Sequence, residues 1–365
     1  MHNYDDSKTL KNSAQSAKTC AVVGARGYSG LELVRLLSNH PLAKITACYA
    51  TRAFDLAAEL ADDSLSGIPC LTDDQILKTD AEVVFLATPA EVSLELAPQL
   101  AALGKKVIDL SGAFRLKKHA INEWYPFSNP HTAELANAVY GLFPFTQASA
   151  YKAKSGIVAN PGCYATAAAL ALIPVVKSGL TDNKNFVIDA KSGVTGAGRK
   201  ASESILFAEV DSDCAPYKVG KHQHYPEIVE SVEAVTGTQL DFHFTTHLLP
   251  IRRGLSVSLY ARLTPAALAA GNAEKVLAST FEQLYKNDPL IQFGSIAEKP
   301  QLLSLRKVTG TARANIAYAV NGDKVFVFAA IDNLLKGAAG QAVENFNAWM
   351  DFPHTMGLES QRGQA

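Results

Sequence analysis

The feature that most limits what this chain can become lies near its start. Thr19-Cys20-Ala21-Val22-Val23 is a short apolar run with β character. It leads directly into Gly24-Ala25-Arg26-Gly27-Tyr28-Ser29-Gly30. Leu31, Val34 and Leu37, with Leu33 and Leu36 beside them, then recur at helical spacing. Strand, glycine-rich turn and helix in this order form the opening of a dinucleotide-binding βαβ unit. The glycines allow a tight turn, and a pyrophosphate can approach the helix N-terminus closely. The spacing is G-x-x-G-x-x-G rather than G-x-G-x-x-G, and a plain βα turn is the competing reading.

The following residues repeat the βα pattern. Ile45 to Ala50 is a second strand, ending at Thr51-Arg52. An acidic residue at this strand end usually binds the ribose of NAD, whereas arginine suits a 2′-phosphate. The reading is therefore NADP(H), with Asp55 close enough in sequence to keep NAD open. Ala81 to Ala87 is a buried strand closed by Thr88-Pro89. Ala90 to Leu103 is helical in composition, with Pro98 expected to interrupt it. Lys106 to Leu110 is a further strand leaving at Ser111-Gly112. Such repeats predict a parallel, doubly wound sheet, with the strand exits facing the cofactor. Arg115 follows, available to an anionic group or to solvent.

Beyond Gly156 to Ala159 comes Asn160-Pro161-Gly162-Cys163-Tyr164-Ala165-Thr166, then a run of helix formers to Leu172. This places Cys163 at a helix start, where unpaired backbone N–H groups favour a thiolate. A buried, inert cysteine is the alternative. Phe186 to Lys191 reads as a strand entering the loop Ser192 to Lys200, whose three glycines, two hydroxyls and two cations suit a phosphate. Residues 239–250 and 255–261 alternate like antiparallel strands, and 274–286 looks helical. Leu302 to Val308 reads as another strand. Ile316 to Asn321 and Val325 to Ile331 form a hairpin across Asn321-Gly322-Asp323. A helix from Asp332 to Met350 is expected to return to the first domain.

The predicted fold class is α/β: a Rossmann-type doubly wound parallel sheet domain with a second α+β domain carrying a mixed, mainly antiparallel sheet. The expected division is a tail over 1–17, a cofactor domain over 18–162 completed by 333–365, and a catalytic and dimerisation domain over 163–332. With 365 residues the length suits two domains. A formal net charge of −1 offers no basic surface for nucleic acid. No apolar run reaches membrane-spanning length, and residues 1–17 lack the apolar core of a signal peptide. Five widely spaced cysteines indicate neither a disulfide framework nor a metal knuckle, so no metal is expected and a cytoplasmic location fits. A base for Cys163 is offered by His222 and His224, which would share a face if they lay on a strand. A nicotinamide domain, an activated cysteine and a histidine together suit hydride exchange with a cysteine-bound acyl group.

Eight motifs in order resemble the N-acetyl-gamma-glutamyl-phosphate reductase family of the semialdehyde dehydrogenase superfamily. They are GARGYSGLEL (24–33), DLSGAFRL (109–116), YGLFP (140–144), NPGCYAT (160–166), SGVTGAGR (192–199), GKHQHYPEI (220–228), HLLPIRRG (247–254) and DNLLKGAAGQAVENFN (332–347). The resemblance implies an NADP-dependent phosphorylating semialdehyde dehydrogenase of arginine biosynthesis. It would reduce N-acetyl-L-glutamyl 5-phosphate through a cysteine thioester, releasing phosphate. Cys163 would be the nucleophile and His222 the acid–base, with His224 its helper or substitute. Cofactor contacts are expected at Gly24, Arg26, Gly27, Tyr28, Ser29, Gly30, Thr51, Arg52, Thr88, Pro89, Ser111, Gly193 and Asn333. Substrate contacts are expected at Arg115, Asn160, Ser192, Gly196 and Arg199. Where some members read SADFR, this chain reads SGAFR and lacks the acid. Family members associate as homodimers or homotetramers. An aspartate-semialdehyde dehydrogenase-like enzyme and a non-catalytic NADP-binding regulatory protein are the other readings.

Overall fold

The computed structural model describes residues 16–152 and 156–359. The expected tail over 1–17 therefore falls almost wholly outside the described residues. The described residues divide into two compact units, those up to Pro161 together with those from Ala338 onward, and Gly162–Gly337.

In the first unit the strands are β1 (Lys18–Val23), β2 (Ala43–Ala50), β3 (Cys70–Thr72), β4 (Val83–Leu86), β5 (Lys106–Asp109), β6 (Val139–Tyr140) and β7 (Ile157–Ala159). The helices are α1 (Tyr28–Ser38), α2 (Leu56–Leu60), α3 (Ala90–Ala102), α4 (Thr132–Asn137) and α5 (Ala148–Lys152). The order β3-β2-β1-β4-β5-β7-β6 is parallel throughout. Chain direction across the sheet reverses between β1 and β4, which opens a crevice at the carboxyl ends of these strands. β4 is apolar and buried along its length, as a strand covered on both faces must be. α3 corrects one expectation, because it runs through Pro98 without a break. The missing N–H removes one intrahelical bond, while Ala97 and Leu100 on either side remain wholly buried and hold the turn.

The second unit starts with α6 (Cys163–Ser178) and continues through β8 (Phe186–Gly193), α7 (Phe207–Val210), β9 (Ala215–Tyr217), α8 (His224–Thr236), β10 (Phe242–Leu249) and β11 (Leu255–Arg262). It ends with α9 (Pro265–Ala270), α10 (Ala273–Tyr285), β12 (Ile291–Ser295), β13 (Ala314–Asn321) and β14 (Lys324–Ile331). The sheet order is β12-β13-β14-β11-β8-β10-β9. Four of its pairs are antiparallel, and β8–β10 and β12–β13 are parallel. β10 and β11 do not pair with each other; each flanks β8. A parallel β8–β10 pair needs a long crossover, and α8 lies within it. α6 is apolar on every side and buried from Tyr164 to Val176, packed against β11, β14, α8 and α10. The Tyr285 hydroxyl donates to Leu170 O at 2.7 Å inside this layer.

Two further expectations are corrected here. Residues 302–308 are not a strand but two tight 3-10 turns, Pro300–Leu303 and Leu305–Lys307, because only Leu302 and Val308 of the run are buried and Pro300 opens it. His222 and His224 are not on a strand: His224 is the first residue of α8 and His222 lies in the turn before it. The final helix is shorter than expected. A π-turn over Leu335–Ala339 precedes α11 (Gly340–Trp349), which belongs to the first unit and packs on α1, α5 and β5.

Candidate active site

The glycine turn lies between β1 and α1. Gly24 has φ +76°, and a Cβ there would lie 2.3 Å from Ala87 O at the end of β4. A Cβ on Gly30 would lie 2.3 Å from Gly24 O. The turn is therefore closed by backbone packed on backbone, which only glycine permits. Gly27, the N-cap of α1, supplies no side-chain cap, and the first turn holds no acid. Tyr28 and Ser29 open the helix, so its free N–H groups face the place a pyrophosphate would take.

At the exit of β2, Arg26, Arg52 and Asp55 line an open cavity of about 460 Å³. Arg26 is held by Glu59 at 2.9 Å. Among the described residues Arg52 makes no ion pair. The Asp55 carboxylate caps α2, accepting from Ala57 N at 3.0 Å and Ala58 N at 3.3 Å. A carboxylate bound to its own helix is poorly placed for a ribose, whereas an unpaired guanidinium suits a phosphate. These residues fit a dinucleotide carrying a 2′-phosphate.

The other strand exits of this unit are built around a carboxyl that sequence reasoning missed. Asp109 ends β5 and is wholly buried. It accepts from Ser111 N at 2.9 Å and Ser111 Oγ at 2.8 Å. Burial raises its pKa, opposed by its bonds to Ser111 and Ser93 and by the nearby Arg115. Thr88 and Ser93 hydroxyls meet at 2.8 Å, with Pro89 as the N-cap of α3. Arg115 is buried too. Its Nε donates to Asn160 O at 2.9 Å and its Nη2 to Leu110 O at 2.7 Å, so it braces the ends of β5 and β7. The Asn160 amide donates to Ala338 O at 3.1 Å and accepts from Asn345 at 2.9 Å.

In the second unit Cys163 is the first residue of α6. Gly162, the N-cap, offers the helix no side-chain hydrogen bond. This end carries the positive pole of a sixteen-residue helix, which favours a thiolate. Gly337 packs directly on it: a Cβ there would lie 2.6 Å from Cys163 Cβ. Glu227, which sequence reasoning also missed, is 1 % exposed, and its Oε1 accepts from Gly162 N at 2.8 Å. Its Oε2 lies 3.9 Å from His224 Nε2. The spacing of His224 and Glu227 by three in a helix was the available signal.

The two histidines differ in kind. His222 is 4 % exposed, edge-on to Tyr164, Tyr217 and Phe244, and its Nδ1 accepts from His224 N at 3.1 Å. Burial, then His224 and Lys218, lower its pKa to about 2, so the ring is neutral at any ordinary pH. His224 lies beside a buried carboxylate. The Tyr217 hydroxyl donates to that of Tyr164 at 3.2 Å, and Tyr164 donates to His247 O at 3.3 Å. Burial pushes both phenols up, Tyr217 to about 12, with Cys163 adding to the effect in each.

The remaining expected positions are also in this unit. Ser192 is buried, and its hydroxyl donates to Gly193 O at 3.1 Å. Gly193 is pressed against Ile251 O, 2.7 Å from where its Cβ would be. Asn333 accepts from Gly254 N at 2.8 Å and donates to Thr195 at 3.0 Å, tying the loop together. Gly196 and Arg199 are exposed on that loop. The histidines, Glu227 and Cys163 gather around the start of α6, while Arg199 lies at a loop surface.

Comparison with known proteins bears on both units. Residues 19–153 match the semialdehyde dehydrogenase NAD binding domain, and residues 163–333 match the semialdehyde dehydrogenase dimerisation domain. A Bacillus cereus N-acetyl-gamma-glutamyl-phosphate reductase is 38 % identical over 350 residues, covering 93 % of this chain and 97 % of that protein. The chain belongs to the N-acetyl-gamma-glutamyl-phosphate reductase family. Relatives of the same name from Brevibacillus brevis (37 % identical, 92 % of this chain and 96 % of theirs) and Halalkalibacterium halodurans (38 %, 93 % and 97 %) agree. Among solved structures, aspartate semialdehyde dehydrogenase II from Vibrio cholerae shares the fold, with TM-score 0.67 at 16 % identity over 92 % of this chain and 99 % of that one. The enzyme from Candida albicans gives 0.64 at 14 %, over 92 % and 98 %.

Proposed function

We propose that this protein reduces N-acetyl-L-glutamyl 5-phosphate to N-acetyl-L-glutamate 5-semialdehyde, with release of phosphate, in arginine biosynthesis. The observation that supports the reading is Cys163 as the first residue of α6, with Glu227 bonded to the preceding amide and His224 beside that carboxylate.

Cys163 attacks the acyl carbon as a thiolate. The C–O bond to phosphate breaks and a thioester forms. NADPH, when bound, supplies the hydride that reduces this thioester. His224 takes the thiol proton at the start, and as the imidazolium it stabilises the alkoxide that follows. Collapse of the alkoxide releases the aldehyde and re-forms the thiolate. A proton carrier works best with a pKa near the working pH. His222, at about 2, is too weak a base for that task. Its role here is to hold the His224 amide and fill the wall against Tyr164 and Phe244. Glu227 lies beside His224 and fixes the Gly162 amide. Arg52 would take the 2′-phosphate, and the α1 N-terminus the pyrophosphate. Self-association through the second unit, and a cytoplasmic location, complete the proposal.

The test is the reverse reaction. Purified protein with N-acetylglutamate semialdehyde, phosphate and NADP+ should show phosphate-dependent formation of reduced nicotinamide, absent with aspartate semialdehyde. Turnover with aspartate semialdehyde alone would overturn the substrate assignment and leave the chemistry standing.

A further inference from the structure

We propose that Asp332, with Arg253, is a positioning residue: it fixes the wall of Cys163 and the glycine loop from Ser192 as one block. Its importance to catalysis rests on the proposed function, in which that loop takes the phosphate and Cys163 the acyl group.

Asp332 directly follows β14, and its side chain is wholly buried. A buried carboxylate is costly unless it is paired and fully bonded. Here both conditions are met. Oδ1 accepts from Leu334 N at 2.8 Å, Leu335 N at 3.2 Å and Arg253 Nη2 at 3.1 Å. Oδ2 accepts from Gly310 N at 2.8 Å and lies 3.0 Å from Arg253 Nε. The Arg253 side chain is itself only 15 % exposed. These donors come from three places: the turn after β14, the turn before β11 and the approach to β13. An apolar side chain could fill the same space, but it could not tie three segments together. All of them belong to the second unit.

The turn after β14 carries Gly337. Leu335 N and Gly337 N donate to the Asp332 carbonyl at 3.2 Å and 3.0 Å, so backbone and side chain of Asp332 shape the same turn. A Cβ at Gly337 would lie 2.6 Å from Cys163 Cβ and 3.1 Å from its Cα. This turn is the wall that confines the Cys163 side chain from that direction.

The turn before β11 carries the loop. Gly193 N donates to Gly254 O at 2.9 Å, and Val194 N to Ile251 O at 2.9 Å. The Thr195 hydroxyl donates to Arg252 O at 2.7 Å. Asn333 repeats the link, accepting from Gly254 N and donating to Thr195. The start of the loop therefore hangs on the Arg253 turn, and that turn is paired to Asp332. Acyl transfer needs the reacting carbon at Cys163 while the departing phosphate sits in the loop. Misplacing one against the other by about 1 Å costs about 10²-fold in rate.

The test is Arg253→Ala in the reverse reaction, with and without millimolar methylguanidine. Far-UV ellipticity and thermal unfolding under both conditions ensure that folded chains are compared. kcat should fall about 10²-fold. Methylguanidine should restore at least about tenfold in Arg253→Ala and nothing in Asp332→Asn/Arg253→Ala, which lacks the carboxylate that receives it. Arg253→Lys keeps the charge without the fork, is the milder change for folding, and should lose kcat about tenfold. A merely structural arginine would lower the melting temperature and leave the folded chain with wild-type kcat, and that result would overturn the proposal. So would a loss that methylguanidine leaves in place, or equal restoration in the double variant. A second readout needs no substrate: the pH midpoint of Cys163 alkylation by iodoacetamide. A side chain freed from its wall swings away from the helix start that favours the thiolate. The midpoint should therefore rise by about half a unit in Arg253→Ala and return with methylguanidine. If wild type turns over neither semialdehyde, the proposed function falls and this midpoint alone decides. A midpoint shared with wild type would overturn the proposal in either case.

Discussion

Replacing His222 by asparagine should make the second unit less sensitive to acid, and the size of the effect follows from burial. His222 is held neutral in the folded protein, with its pKa lowered from 6.5 to about 2, chiefly by burial. In the unfolded chain it titrates near 6.5. A depressed folded value means that stability is complete above pH 6.5 and is lost as pH falls, because the unfolded state binds the proton first. Each pH unit below that point costs roughly 1.4 kcal/mol until the folded site also protonates. Between pH 7 and pH 5 the loss from this one ring is about 2 kcal/mol. The figure holds for any folded pKa well below 5. Asparagine does not titrate, and its carbonyl oxygen can accept from His224 N in place of Nδ1. Its smaller volume adds a cost that is independent of pH and cancels in the difference. The assay is urea unfolding by far-UV ellipticity at both pH values. Tryptophan emission would not serve, because Trp124 and Trp349 both belong to the first unit. Wild type should lose about 2 kcal/mol more than His222→Asn on acidification. Equal losses would refute the argument that His222 is buried as the neutral base.

Four other changes probe the remaining parts. Gly337→Ala would push a methyl against Cys163, so kcat should collapse and stability fall by about 1–3 kcal/mol, read by turnover and thermal unfolding. Glu227→Gln keeps an acceptor for the Gly162 amide but removes the charge beside His224. It should lower kcat by about 10²-fold, with a shifted pH–rate profile and little change in folding. Arg52→Gln should raise the KM for NADPH about tenfold and leave that for NADH unchanged, as steady-state kinetics would show. Gly24→Ala meets both a φ of +76° and the Ala87 carbonyl, so cofactor binding should be lost along with more than about 1 kcal/mol of stability, seen in thermal unfolding with and without NADPH.

Local chemistry was readable from the chain where one residue type alone satisfies a constraint. The glycines after β1, the apolar run of β4, and the Asn321-Gly322-Asp323 turn between β13 and β14 are of that kind. Long-range pairing was not. β10 and β11 alternate like neighbours, yet both pair with β8, because alternation records which face is buried and says nothing of the partner. Residues 302–308 carry enough leucine to suggest a strand, but nothing local says that the run turns twice. The two histidines looked like strand residues two apart. In the structure one ends a turn and the other starts a helix, and this separates a neutral, enclosed imidazole from one beside a carboxylate. Nothing in the sequence marks Asp109 as more than an acid at a strand end, and Glu227 is signalled only by its spacing of three from His224. Their importance comes from burial, which only the packed sheet and the α6–α8 contact create.

The central claim is that Cys163 accepts the acyl group. Its most direct test is intact-protein mass spectrometry after mixing with N-acetyl-L-glutamyl 5-phosphate in the absence of cofactor. The account predicts one N-acetylglutamyl group per chain, mapped to the peptide containing Cys163, released by hydroxylamine and absent from Cys163→Ala. No adduct on a chain that still turns over with NADPH present, or an adduct that persists in Cys163→Ala, would contradict it.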